Sequence, residues 1–178
     1  MALGTVFQNL PPALKRLRES VDAVRVHVRE DEPTQGESKV AEEYGDLLEQ
    51  MLDWLDEALA AADKAQAAAE YPRDMDTLRR TLAECQVQLH QVSHCLGADL
   101  KGSTRLAELM RVAKKYKGKQ EGKWREWAKI IRRGLDDCEI PLHDLERAMF
   151  DCWRELAEWV GTPSVSIRAT SVGQKITN

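Results

Sequence analysis

Two histidines, His90 and His94, are the residues whose type and spacing come closest to a metal site. Residues four apart on a helix lie on one face, and two imidazoles on one face can bind zinc. Cys95 and Asp99 follow, but a zinc site takes a third ligand and supporting hydrogen bonds. The neighbouring apolar residues place both histidines on the flank of a helix. We therefore interpret them as surface or half-buried side chains and predict no metal ligand.

A second candidate for chemistry is the glycine- and lysine-containing stretch from Gly118 to Lys123. A phosphate-binding loop has one more residue between its glycines, a hydroxyl residue after its lysine and a strand before it. Here Trp124 follows the lysine, and no strand is predicted upstream. We therefore do not interpret this stretch as a nucleotide site, and we expect no cofactor.

Nucleophilic and acid–base catalysis also lack the necessary arrangements. No serine, histidine and aspartate occur in a strand–turn–helix context. Adjacent carboxylates such as Asp136 and Asp137 point in different directions around a helix, so they are read as solvated side chains. We expect no catalytic residue and no enzymatic activity. A metal-dependent enzyme built on a helical bundle is kept only as a minor alternative.

The composition is typical of a helical protein with one core. The chain has 178 residues, of which 43% are hydrophobic and 31% charged. A chain of this length buries about 70% of the surface that its unfolded form exposes. Alanine, glutamate, leucine, lysine and arginine predominate, and these residues favour helices.

The same composition predicts the compartment. No run of 18 apolar residues exists, so we expect no membrane span, and the first residues do not read as a signal peptide. The four cysteines fall inside helical patterns without close pairing, which is typical of buried thiols in a reducing compartment. We expect a cytoplasmic protein.

Apolar residues recur every three or four positions through most of the chain, which predicts an all-α fold. The strictest such seam consists of Leu10, Leu14, Leu17, Val21, Val24 and Val28. Polar stretches that contain proline or glycine separate the periodic segments. The predicted helices span about 10–30, 38–70, 74–96, 103–117 and 123–160.

The segment 123–160 is the one around which the rest is organised, because it holds four of the five tryptophans. Its apolar residues keep one face along the whole stretch. Pro141 lies in the middle, where it lacks a backbone donor and its ring crowds the carbonyl of Asp137. Because the apolar phase is kept across the proline, we expect a single helix kinked at 141 rather than two separate helices.

Together these segments predict a four- to five-helix antiparallel bundle with coiled-coil-like seams, formed by residues 1–161. Residues 162–178 form a separate tail, in which Val165 and Ile167 alternate with polar residues as in a strand. No second strand is predicted to pair with it. The tail is therefore disordered, draped over the bundle, or offered as a strand to a partner's sheet.

Charge is segregated along the sequence although the net charge is only −4. Residues 101–133 contain twelve basic and three acidic side chains, a net charge of +9. Residues 37–70 contain ten acidic and two basic side chains, a net charge of −8. The basic segment either packs beside the acidic second helix or binds an external anion. Trp124 and Trp127 lie among the basic residues, but their seam positions favour the core over base stacking.

These observations predict a non-enzymatic helical interaction module, such as an adaptor, assembly or regulatory subunit, that binds a protein partner and self-associates. The alternative is a nucleic-acid-binding regulator that uses residues 101–133. The tail and the basic segment supply the predicted partner-binding residues. These are Lys114, Lys115, Lys117, Lys119, Lys123, Arg125, Arg132, Arg133, Val165 and Ile167.

Overall fold

The computed structural model describes residues 5–33, 39–100, 107–109, 111 and 121–161, and this part of the chain is helical without any strand. The all-α bundle predicted from the sequence is confirmed. The predicted helix 103–117 falls mostly outside the described residues, and the tail 162–178 falls wholly outside them. The helices are α1 (Thr5–Gln8), α2 (Leu10–Glu30), α3 (Lys39–Ala69), α4 (Met75–Leu100), α5 (Glu121–Asp136) and α6 (Glu139–Gly161).

Helix α2 is the centre of the bundle, because it packs against α1, α3, α5 and α6. Its heptad seam explains this position: every residue of the seam is buried, so the whole length of one face meets neighbouring helices. Pro11 and Pro12 lie in its first turn, where a missing backbone N–H costs nothing. Asn9 occupies the N-cap position, but its side chain makes no capping hydrogen bond.

Helices α3 and α4 form the most extensive helix pair. The second half of α3 is rich in alanine, and small side chains let α4 approach closely. The chain reverses between them through a connection that includes a cis Tyr71–Pro72 peptide bond. Helix α4 continues four residues beyond the end predicted at 96, through Gly97. The buried alanines in the second half of α3 are Ala58, Ala61, Ala62, Ala65, Ala68 and Ala69.

Helices α5 and α6 together form the fourth side of the bundle and run antiparallel to α2. Gly134 of α5 lies against Val24 near the end of α2, whereas Trp159 at the end of α6 packs on Phe7, just before α2. The ring centroids of Phe7 and Trp159 are 5.5 Å apart. Their apolar seam faces inward, and Trp124 is fully buried in it.

The single kinked helix predicted for 123–160 is wrong, because two helices are present and the break precedes Pro141. Helix α5 ends at Asp136, a turn covers Asp137 and Cys138, and α6 begins at Glu139. Pro141 is therefore the third residue of a new helix. In that position it neither breaks a backbone hydrogen bond nor crowds a helical carbonyl, so the break relieves the conflict that a kink would retain.

Candidate functional site

Five basic side chains of the segment 101–133 lie on the outer side of α5, whereas Arg111, which contacts Glu108, lies before this helix. Lys123, Arg125, Lys129, Arg132 and Arg133 are all exposed, and the Nε atom of Arg132 lies 3.6 Å from the Oδ1 atom of Asp136. Trp124 and Trp127 are 0% and 2% exposed. They belong to the core, so neither indole can stack with a nucleotide base.

The rest of the predicted basic site cannot be placed. Lys114, Lys115, Lys117 and Lys119 lie outside the described residues, as do Val165 and Ile167 of the tail. The structure therefore gathers Lys123, Arg125, Lys129, Arg132 and Arg133 on one helix and leaves the other predicted partner-binding residues unplaced.

Three acidic residues of α3 form ion pairs with α2. Arg29 of α2 contacts Asp46 and also Glu49, whose Oε2 atom is 3.0 Å from its Nε atom. Arg18, nearer the start of α2, contacts Asp56, which lies further along α3. The principal packing partners of α5 are α2 and α4. The predicted acidic second helix corresponds to α3, which is not a principal packing partner of α5. The basic residues of α5 therefore do not show the predicted pairing with that acidic helix.

The two histidines of the predicted α4 face are both exposed, and the side chain of Asp99 is not described. In the described part of the chain, no three histidine, cysteine, aspartate or glutamate side chains come together as a metal site would require. His90 instead lies on the wall of a groove. Ser93 of the same helix and Glu146 of α6 also line this groove.

This groove runs between α4 and α6, which pack against each other less extensively than α2 and α3 or α3 and α4 do. It encloses about 280 Å³. Two hydrogen bonds cross it: the indole N–H of Trp153 donates to Oε1 of Gln86 at 3.1 Å, and the hydroxyl of Ser93 donates to Oε2 of Glu146 at 3.1 Å. Its lining residues are Gln86, Leu89, His90, Ser93, Glu146, Met149, Phe150 and Trp153.

Phe150 is the residue that makes this groove unusual. Its side chain is 63% exposed although it lines a groove. Met149 and Leu89, at 2% and 3% exposure, are the buried apolar residues of the same groove. A large aromatic ring left in water beside a groove with both apolar and polar lining residues is a feature of binding surfaces.

Two arginines flank Phe150 on α6. Arg147 and Arg154 precede and follow it at helical spacing, so they share its face of the helix, as does His143. The guanidinium carbon of Arg154 lies 5.8 Å from the centroid of the Phe150 ring, and Arg154 also contacts Asp151 at 3.2 Å. The carboxylate of Glu146 is engaged by Ser93 and by His143, whose Nδ1 atom is 3.5 Å away. The rim beside Phe150 therefore presents cationic groups.

The cysteines do not contribute a reactive group to this surface. Burial raises the pKa of Cys85, Cys138 and Cys152 to about 12, so these thiols stay protonated at neutral pH. Cys95 is half-buried, and none of the four cysteines forms a disulfide.

The sequence did not single out the groove. The spacing of Phe150 fits a second apolar face of the segment 123–160, which predicts that its ring widens the buried stripe. The sequence did contain one signal for the groove. Phe150 and Trp153 lie three residues apart outside the strict apolar seam, which Met149 and Cys152 continue. Such residues either pack on a second neighbour or remain at the surface, and only the structure distinguishes the two.

No described helix of this chain has a stretch long and apolar enough to cross a membrane. Comparisons with protein-family models, with curated proteins and with solved structures found no match to this chain.

Proposed function

We propose that this chain is a non-enzymatic interaction module that binds an amphipathic helix of a protein partner in the groove between α4 and α6. The observation that carries the proposal is the exposure of Phe150, whose side chain is 63% open to solvent at the groove between α4 and α6. A helix laid along these two antiparallel helices would bury this ring.

The residues that line the groove and its rim indicate which side chains the partner helix should carry. Apolar side chains at helical spacing would meet Phe150, Met149 and Leu89. Acidic side chains beside that stripe would face Arg147 and Arg154, whose charges would steer the helix and fix its direction.

The experiment is a titration with a synthetic helical peptide of about eighteen residues, long enough to be partly helical alone. Leucines form one stripe, and glutamates flank it. The readout is the indole N–H signal of Trp153, which lies inside the groove and donates to Gln86. We expect a saturable shift of this signal and no shift with a control peptide in which serines replace the leucines. No response to the leucine peptide would contradict the proposal.

A second copy of the chain is the competing occupant, since self-association was also predicted. Sedimentation at two protein concentrations decides between the two. A dimer that the leucine peptide dissociates would place the second copy in the groove, whereas a monomer at both concentrations leaves the groove to a different protein. Four cysteines without a disulfide suit a reducing compartment, so the cytoplasm is the proposed location.

Nucleic-acid binding by residues 101–133 is the second candidate, favoured by the exposed basic face of α5. Because Trp124 and Trp127 are buried, such binding would rest on phosphate contacts alone. It would then weaken by roughly 10³- to 10⁵-fold between about 50 and 200 mM salt if six to ten phosphates were contacted. Titration of a labelled mixed-sequence oligonucleotide at both salt concentrations tests this candidate, and no binding at the lower salt rejects it.

A further inference from the structure

One end of the bundle carries two buried hydrogen-bond donors for which the described residues supply no acceptor. The Nε atom of Arg73 and the Nε1 atom of Trp159 are both shielded from solvent, and neither has a hydrogen-bond partner in the described part of the chain. The two groups are stacked, with the guanidinium carbon of Arg73 lying 3.8 Å from the centre of the Trp159 ring. Buried N–H groups are nearly always paired in folded proteins, so two adjacent ones indicate a missing acceptor.

The nearest carboxylates in the sequence do not supply that acceptor. Asp74 accepts hydrogen bonds from the backbone N–H of Thr77 at 3.1 Å and from its hydroxyl at 2.6 Å, and so caps α4. Glu70 is exposed, and no ion pair to Arg73 is present among the described residues.

Exposed apolar side chains lie beside these donors, and exposed acidic side chains lie at the same end of the bundle. Tyr71 is 89% exposed and Val160 is 53% exposed, so both offer apolar area to an occupant. The exposed acidic residues at this end are Glu70, Asp74, Asp76 and Glu158. An occupant that fits this patch offers carbonyl oxygens, apolar side chains and positive charge.

We propose that residues 162–178 of the same chain fold back onto this end of the bundle, where main-chain carbonyls accept hydrogen bonds from Trp159 and Arg73. The segment begins directly after α6, which ends at Gly161, two residues beyond Trp159. It contains Arg168 and Lys175 and no acidic side chain, which matches the acidic edge. Val165 and Ile167 supply the apolar side chains. Because the segment is tethered, its effective concentration at the patch is of millimolar order.

The test compares the full chain with a chain that ends at Gly161, using the side-chain N–H signals of Trp159 and Arg73. We expect both signals to shift on truncation and a synthetic peptide of residues 162–178 to restore them. The indole signal of Trp153 is the internal control, because its acceptor is Gln86 within the bundle. Circular dichroism checks that the helices persist.

Two further variants make the test specific. Replacing Trp159 by Phe keeps the ring but deletes the donor, and should weaken binding of the peptide to the truncated chain roughly threefold to tenfold. Changing Arg168 and Lys175 to Gln in the peptide should weaken it further and reduce its salt dependence. Identical Trp159 and Arg73 signals in the full and truncated chains would overturn the proposal. That result is expected if a water molecule or the first residues of the chain supply the acceptor instead. This site shares no residue with the groove, so its failure leaves the proposed function intact.

Discussion

His27 and Trp127 are joined by reciprocal hydrogen bonds that fasten α5 to the end of α2. The indole N–H of Trp127 donates to the backbone carbonyl of His27 at 3.1 Å, and Nε2 of His27 lies 3.1 Å from the backbone carbonyl of Trp127. Nδ1 of the same imidazole lies 2.9 Å from Oδ2 of Asp31. One side chain from each helix thus contacts the main chain of the other, which fixes the register between them.

Changing Trp127 to Phe should therefore destabilise the protein by about 1 to 3 kcal/mol, because it removes one hydrogen bond and part of a buried ring. The free energy of unfolding from urea titrations measures this effect. The matched control is Trp153 to Phe, whose indole also donates one hydrogen bond but lies at a half-buried position. An equal or larger loss in the control would contradict the role assigned to Trp127.

Gly134 allows α5 to lie close to α2, since a Cβ atom at this position would be 2.9 Å from Cγ2 of Val24. Replacement by alanine should destabilise the protein even though alanine favours helices by about 1 kcal/mol over glycine. The control is Gly97 to Ala, where the added atom meets nothing within 4 Å. That change should stabilise by about 0.5 to 1 kcal/mol. Stabilisation by both substitutions would show that the close approach is unimportant.

Thiol labelling should distinguish the four cysteines. Cys85, Cys138 and Cys152 are buried and have a pKa raised to about 12, so they should react only when the protein unfolds. The half-buried Cys95 should react in the native protein. Mass spectrometry after brief alkylation at pH 8 should find one modification in buffer and four in denaturant. Two or more rapid modifications in buffer would contradict this packing.

The cap of α4 predicts a pH dependence. The hydroxyl and backbone N–H of Thr77 hold the pKa of Asp74 below its usual value, so the charged cap stabilises the folded state above the pKa of the unfolded chain. This contribution is lost as the pH falls through the folded-state pKa. Replacing Asp74 by Asn keeps an acceptor without a charge. The difference in unfolding free energy between the two proteins should shrink below about pH 4, and a difference independent of pH would contradict the assignment.

The helices and the core were predictable because each depends on local periodicity. The buried seam of α2 and the burial of Trp124 follow directly from spacing. The break before Pro141 was missed because apolar phase continues through a two-residue turn as it does through a kink. The groove was missed because spacing shows which residues share a face, not whether a neighbour covers that face, as Phe150 illustrates.

The most direct test of the central claim is the affinity of the leucine-stripe peptide for two matched variants. Phe150 to Ser removes the exposed ring at the groove, whereas Ile140 to Ser removes a side chain that is 72% exposed on the same helix outside it. We expect at least tenfold weaker binding for the first variant, a difference of about 1.4 kcal/mol, and unchanged binding for the second. Equal affinity in both variants, or no binding to the unmodified protein, would contradict this claim.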